Sequence, residues 1–344
     1  MSLLNKTDIN ERKRYEDFVS HHENGSFTQS LMWPDAKSGW DYEAVVIEEN
    51  GEIKGTALIL IKKIPFANTN LLYCPRGPVC DYTDTETLNK IANEISELAS
   101  NYKAYECIMD PFITRENVEA QKAFESIGYT CDYDAKEGTT IQIRDNYIKR
   151  IEGMTAEEVF NSWDRKCRYN TRLSMKSGVT CERHGTERLD EFYELMKTTG
   201  ERDGFTTRGR EYFDTFMNAL GEHCCLFMCY YEGKPISGAI AVSYGGKTMQ
   251  VYGASSNEHR NVRPNNTMQL ELQTWAVEQG SYIYDFGGIP HWQEEDHPAY
   301  GMYAFKKTFN GEVVQFVGEY KYTFSKAKKK LVGSMEKVYK MLRG

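Results

Sequence analysis

Two segments of this chain repeat one order of apolar and polar runs. In the first, strands are predicted over 43–48 and 53–60, joined by the turn pair Asn50-Gly51. A strand near 71–74, a helix over 85–99 and an apolar strand over 104–109 follow. In the second, the same order returns as a strand over 226–231, the turn Glu232-Gly233, a strand over 235–243 and another over 248–252. A helix over 265–279 and a strand over 282–285 complete it. The echo of Asn50-Gly51-Glu52-Ile53-Lys54-Gly55-Thr56-Ala57 in Glu232-Gly233-Lys234-Pro235-Ile236-Ser237-Gly238-Ala239 sets the register. The pattern predicts two copies of one mixed α/β unit, which are expected to superpose.

Between the copies, Thr155-Ala156-Glu157-Glu158 is a capping-box start for a helix running to about Lys176. Val159, Phe160, Trp163 and Cys167 suit its inner face, while Arg165, Arg168, Arg172 and Lys176 recur as a basic stripe. A second amphipathic helix is predicted over 189–198. Residues 190–204 are too few, and without heptads, to form a projecting helical hairpin.

At 344 residues and 40% hydrophobic content the chain suits two domains better than one large core. It has no apolar run of bilayer-spanning length and no apolar leader after Met1, so no integral membrane segment and a cytoplasmic protein are expected. Nine cysteines without a Cys-x-x-Cys pair read as reduced thiols, Cys224, Cys225 and Cys229 among them in a strand-like run. The net charge of −8 argues against a protein that coats nucleic acid. The charge is uneven. From Lys321 to Arg343 there are eight basic residues against Glu336 alone, a tail of +7 that leaves −15 elsewhere. It reads either as the solvated face of a terminal helix or as a contact with phosphates.

Candidate chemistry gathers around 249–309, a strand–helix–strand unit with a polar and basic loop, 259–266, at the helix entrance. Backbone N–H groups and arginines there could receive an anion. The loop after the second strand ends in Phe305-Lys306-Lys307-Thr308-Phe309-Asn310-Gly311, which brings a cation near the same strand ends. Asp110, after an apolar strand and before Pro111, is the best-placed general base, unless it caps a turn. His291 and His297 bracket Glu294, Glu295 and Asp296 at no compact metal spacing, so no metal site and a mobile acidic loop are expected. Neither a P-loop nor a dinucleotide fingerprint occurs, and no cofactor is expected.

Several motifs together resemble the Fem family of non-ribosomal peptidyltransferases. They are Gln29-x3-Trp33-x3-Lys37, Tyr73-x2-Arg76-Gly77-Pro78, Tyr105-x4-Asp110-Pro111, Arg202-Asp203-Gly204-Phe205 with Arg208 and Tyr212, and Tyr252-Gly253-Ala254-Ser255. Arg263-Pro264-Asn265, Tyr284-Asp285-Phe286-Gly287-Gly288 and Phe305-Lys306 complete the set, which covers nearly the whole chain. The resemblance implies two tandem domains of the GNAT (acyl-CoA N-acyltransferase) type. Domain one, 1–147 completed by 317–344, would bind the precursor, and domain two, 148–316, would face aminoacyl-tRNA. The activity implied moves an amino acid from aminoacyl-tRNA to the side-chain amine at stem-peptide position 3 of a peptidoglycan precursor, building the interpeptide bridge. The acceptor is UDP-MurNAc-pentapeptide or lipid II, and the enzyme is expected to be a monomer.

By the same resemblance, Lys37, Arg208 and Tyr212 match residues that hold the precursor's phosphates and sugar, with Arg76 as a further binding residue. Tyr105 and Asp110 match the cleft near the stem peptide, Phe305-Lys306 match the catalytic neighbourhood, and Tyr252 matches a further tyrosine. Lys306 would stabilise the oxyanion or the departing ribose oxygen. Asp110 or a carboxylate of the precursor would take the amine's proton. Arg165, Arg168, Arg172 and Lys176, with Lys328 and Lys329 in the tail, would hold the tRNA. The chain departs from members that carry a helical-hairpin arm, which leaves the form of the acceptor open. The alternatives are a CoA-dependent N-acetyltransferase, disfavoured because 260–265 lacks the glycines of a pyrophosphate loop, and a non-catalytic tRNA- or precursor-binding module.

Overall fold

The computed structural model describes residues 2–136 and 138–343, and the side chains of Glu336, Lys340 and Arg343 in the basic tail lie outside the described residues. The chain divides into two compact units, 1–144 with 315–344, and 145–314. Unit one begins with α1 (Ile9–His21), β1 (Asp41–Glu49), β2 (Glu52–Ile64), β3 (Thr69–Cys74) and β4 (Val79–Cys80). It continues through α2 (Thr85–Asn101), β5 (Ala104–Met109), α3 (Val118–Ser126) and β6 (Thr130–Cys131). Unit two runs β7 (Asp145–Arg150), α4 (Ala156–Asn161), α5 (Arg165–Lys176), β8 (Thr180–His184), α6 (Leu189–Asp203) and α7 (Arg210–Leu220). Then come β9 (Cys224–Tyr231), β10 (Lys234–Tyr244), β11 (Lys247–Ser255), α8 (Pro264–Glu278), β12 (Ile283–Gly288), α9 (Tyr300–Lys307) and β13 (Glu312–Gln315). The chain re-enters unit one as β14 (Tyr320–Thr323) and α10 (Lys326–Arg343).

The duplicated order is present as topology. Unit one's sheet runs β1-β2-β3-β5-β14-β6, with β4 beside β2; unit two's runs β8-β9-β10-β11-β12-β7-β13. β1-β2-β3-β5 and β9-β10-β11-β12 are both two antiparallel pairs followed by one parallel pair. The parallel pair needs a crossover, which α2 and α8 supply. Each run is then extended antiparallel by a strand from a distant part of the chain, β14 beside β5 and β7 beside β12.

Each unit has its own core. Leu88, Ile91, Ile95 and Leu98 of α2, three and four residues apart, bury one helical face against Val45, Ile59, Leu72 and Tyr320. Burying each such aliphatic side chain contributes about 1.5–3 kcal/mol. In unit two, Trp163, Phe227, Leu272, Tyr284, Phe286 and Phe309 form the corresponding cluster.

The helix expected over 155–176 is broken into α4 and α5, although its capping box is present. At the break Trp163 is buried, its Nε1 donating to Gln273 Oε1 at 3.1 Å. Arg168 donates to the carbonyls of Asn161 (2.7 Å) and Trp163, which the interruption leaves without helical partners. α6 continues to Asp203 and stops at Gly204, φ 73°. Among the described residues α6 and α7 are short, and neither forms an arm. Among the described residues no helix is long and apolar enough to cross a membrane.

Candidate active site

In unit one, three of the motifs are one hydrogen-bonded group. Gln29, fully buried, donates through Nε2 to Pro75 O at 2.8 Å and accepts from Leu58 N–H at 2.8 Å, so it ties β2 to the turn after β3. A Cβ at Gly77 would stand 2.5 Å from the Gln29 amide carbon, which is why the turn needs glycine there. Asp110 closes the turn from β5. Its Oδ2 accepts from the Tyr73 hydroxyl at 2.7 Å and its Oδ1 from the Arg76 backbone N–H. Burial pushes its pKa up to about 6, against the pull of the Arg76 cation. The Lys37 ammonium lies 4.3 Å from the Trp33 ring, and Trp40 packs against Tyr73.

Three of the residues expected to act in unit one are buried. Asp110 is 1% exposed with both oxygens engaged, so it holds the turn in place. The guanidinium of Arg76 is buried between Phe112 and Phe316, 5.1 and 5.2 Å from their ring centres. Tyr105 packs with Ala67 beneath Val332 of α10. The tail lysines have partners within unit one as well. Lys329 is paired with buried Glu106 of β5, and Lys328 donates to Lys103 O at 3.0 Å, so both fasten α10 to the sheet.

In unit two, Phe305 and Lys306 lie in the last turn of α9, a short helix where a loop was expected. Phe309 fixes that helix, packing on Trp163, Phe286 and Phe305. Buried Lys149 of β7 donates to the Phe309 and Asn310 carbonyls, each at 2.9 Å. Lys306 Nζ donates to Gly288 O at 2.8 Å, at the end of β12, which leaves two of its N–H groups for other acceptors. Withdrawal from water pulls its pKa down to about 8, partly offset by Asp285. Asp285 accepts from Asn146 Nδ2 at 2.8 Å and from Gly287 N–H at 2.7 Å.

A second group in unit two joins three more predicted residues. Tyr212 of α7 and Tyr252 of β11 share a hydrogen bond of 3.0 Å between their hydroxyls, and the Arg208 guanidinium lies 5.3 Å from the Tyr212 ring. Burial, then the neighbouring Tyr212, raises the Tyr252 pKa. Arg202 donates to Ser255 O at 3.0 Å, which joins two of the motifs at the end of β11. On α5, Arg165, Arg172 and Lys176 are exposed, with Tyr169 62% exposed among them; Arg168 is spent on the α4 carbonyls.

The loop at the entrance of α8 does not form the expected anion cradle. Pro264 lacks an N–H, and the Asn266 N–H is bonded to Arg263 O. The acidic loop is ordered around a stacked pair, the His291 and His297 rings 3.6 Å apart, with His291 bonded to Glu294 at 2.9 Å. Among the described residues no group of side chains could hold a metal ion.

A buried polar chain escaped the sequence reading: Trp163 to Gln273, Gln273 to Gln269 at 3.5 Å, and Gln269 to both Gln250 (2.7 Å) and Tyr284 (3.1 Å). It props β11 and β12 from the α8 side. At the same place Gly287, φ 80°, would put a Cβ 3.3 Å from Gln250 O. Gln269 and Gln273, four apart on one helical face and flanked by the apolar Met268, Leu272 and Ala276, were the available signal.

The FemAB family model matches residues 11–234 and 230–337. The chain is 31% identical over 385 aligned positions to the lipid II:glycine glycyltransferase of Staphylococcus haemolyticus, covering 91% of each chain. That alignment is longer than this chain, so it opens gaps where the relative carries stretches absent here. The crystal structure of FemX is similar with a TM-score of 0.86 at 30% identity, over 93% of this chain and 98% of that one. A tandem GNAT protein from the clavulanic acid biosynthesis pathway shares the fold at 11% identity and TM-score 0.57, over 93% of this chain and 97% of that one.

Proposed function

We propose that this chain, which belongs to the FemAB family, transfers an aminoacyl group from aminoacyl-tRNA to the side-chain amine at stem position 3 of a peptidoglycan precursor. The observation that carries the reading is Lys306, a half-buried cation held at the end of β12 by Gly288 O with hydrogen-bonding capacity to spare. An aminoacyl ester is already activated, so the enzyme's task is to orient the amine and stabilise the charge that develops. The amine nitrogen attacks the ester carbonyl, and its oxygen becomes an oxyanion that Lys306 stabilises. The intermediate collapses by expelling the ribose oxygen of the tRNA terminus, and the amine's proton leaves to a base. Because both Asp110 oxygens are engaged, a carboxylate of the precursor takes that role.

Lys37 is proposed as a ligand of the precursor's phosphates and sugar, the role that the family resemblance also gives Arg208 and Tyr212. Phe305 lines the neighbourhood of Lys306. Arg165, Arg172 and Lys176 are proposed to hold the tRNA acceptor stem, with Tyr169 available for stacking. The test incubates the protein with tRNA charged by a mixture of labelled amino acids and with either UDP-MurNAc-pentapeptide or lipid II, then reads the product by mass. A product heavier by one amino-acid residue is expected. The absence of product with both acceptors overturns the transferase reading.

A further inference from the structure

The hairpin between β2 and β3 ends in a side chain the fold does not use. Phe66 is 100% exposed, and its backbone sits at φ 64°, a region a bulky residue seldom enters. A lone exposed apolar residue is ordinary. Phe66 is different because of what surrounds the tip. Ile64 and Ala67, on either side of it, pack with Leu71, Tyr105 and Val332, so the tip is fastened beside α10. The helix turns Val332 inward and leaves Lys326, Ala327, Lys330, Leu331, Ser334 and Lys337 exposed, Leu331 at 49%. Lys62, Lys63, Pro65 and Lys103 are exposed at the hairpin and the adjoining turn. Lys63, Lys103, Lys326 and Lys330 have no carboxylate partner among the described residues, in a chain whose net charge is −8.

We infer that this face of unit one docks on the surface of an anionic lipid bilayer, with Phe66 and Leu331 entering the headgroup region and the lysines facing lipid phosphates. Charge complementarity selects the partner. An aromatic wedge inside a ring of cations is the composition that binds an interface peripherally. Each lysine near an anionic surface strengthens binding roughly fivefold. The composition also argues against RNA on this face. Every described cation here is lysine, and one aromatic ring projects alone, whereas the exposed face of α5 in unit two has arginines and Tyr169. Lys328 and Lys329 bond to Lys103 O and Glu106 and so hold the helix in place, which prearranges the presenting surface before any lipid is met. Tyr73 stands seven residues from Phe66 along β3 and its turn, about 20 Å at the usual strand rise, so docking keeps the Tyr73–Asp110 turn within about that distance of the bilayer.

The docking does not depend on the acceptor proposed above, and it is read without any substrate. The intact protein is sedimented with vesicles of phosphatidylcholine alone and of phosphatidylcholine mixed with phosphatidylglycerol, across a salt series. Wild type is expected to partition onto the anionic vesicles only, less as salt rises. Phe66→Ser should lower that partition at least fivefold, and the triple variant Lys326→Glu, Lys330→Glu, Lys337→Glu at least tenfold. These positions are exposed, so folding should be unaffected, which circular dichroism and a melting curve check. Equal partition onto neutral vesicles, no partition at all, or variants that bind like wild type would each overturn the inference. A triple variant that binds vesicles normally but raises KM for aminoacyl-tRNA would overturn it too, assigning the face to RNA.

Discussion

At Lys306 two effects oppose each other. Withdrawal from water favours the neutral amine, Asp285 favours the cation, and the balance leaves the pKa at about 8. If the cation stabilises the oxyanion, turnover should fall as pH rises through about 8. Lys306→Arg should move that limb upward, because guanidinium stays charged. Lys306→Ala should lower kcat by about 10²–10³. An alkaline limb that stays put in the arginine variant would exonerate Lys306. Asp110 titrates in the opposite sense. Its folded value of about 6 lies above the unfolded value, so the native state binds the proton more tightly. Stability from this group is therefore greatest below the unfolded pKa and declines as pH rises to about 6. Denaturant unfolding of wild type against Asp110→Asn at pH 4.5 and 7 should show that decline, about 2 kcal/mol between the two pH values, in wild type alone. Motif spacing led to both residues, but sequence could not reveal burial. The side chains that bury Arg76 and Tyr105, and the carboxylate that pairs with Lys329, lie far away in the chain, so spacing alone could not show these settings.

Among the elements, the two copies were legible because a hairpin turn and a change of apolar period are local signals. α7 was legible in principle, since Phe213, Phe216, Met217 and Leu220 repeat at helical spacing. The split between α4 and α5 could not be read at all. It depends on Gln273, 110 residues from the Trp163 it holds. The split also separates the roles of the α5 arginines. Arg165→Glu with Arg172→Glu should raise KM for aminoacyl-tRNA and flatten its salt dependence, because fewer counterions are displaced, with kcat little changed. Arg168→Ala should instead lower stability by about 1–3 kcal/mol and leave the salt slope alone. Kinetics across a salt series, beside thermal melts, separate the two. An unchanged donor KM in the double reversal would return that stripe to an ordinary solvated face.

For the whole molecule, the late return of the chain is decisive. β14 lies between β5 and β6, and Tyr320 at its start is fully buried against Phe124. Deleting 317–344 should therefore open unit one's sheet while unit two, whose strands all lie within 145–315, keeps its own cooperative melt. Calorimetry of the truncated chain should show one of two transitions lost; two intact transitions would refute this. The same strand imposes a sequence of events during protein synthesis. Residues 145–314 leave the ribosome ahead of β14, so the second half can begin folding while the first still lacks an interior strand. The half proposed to meet the precursor through Lys37 is then completed last, and a message cut short near its end should yield a chain with a finished second unit and an open first one.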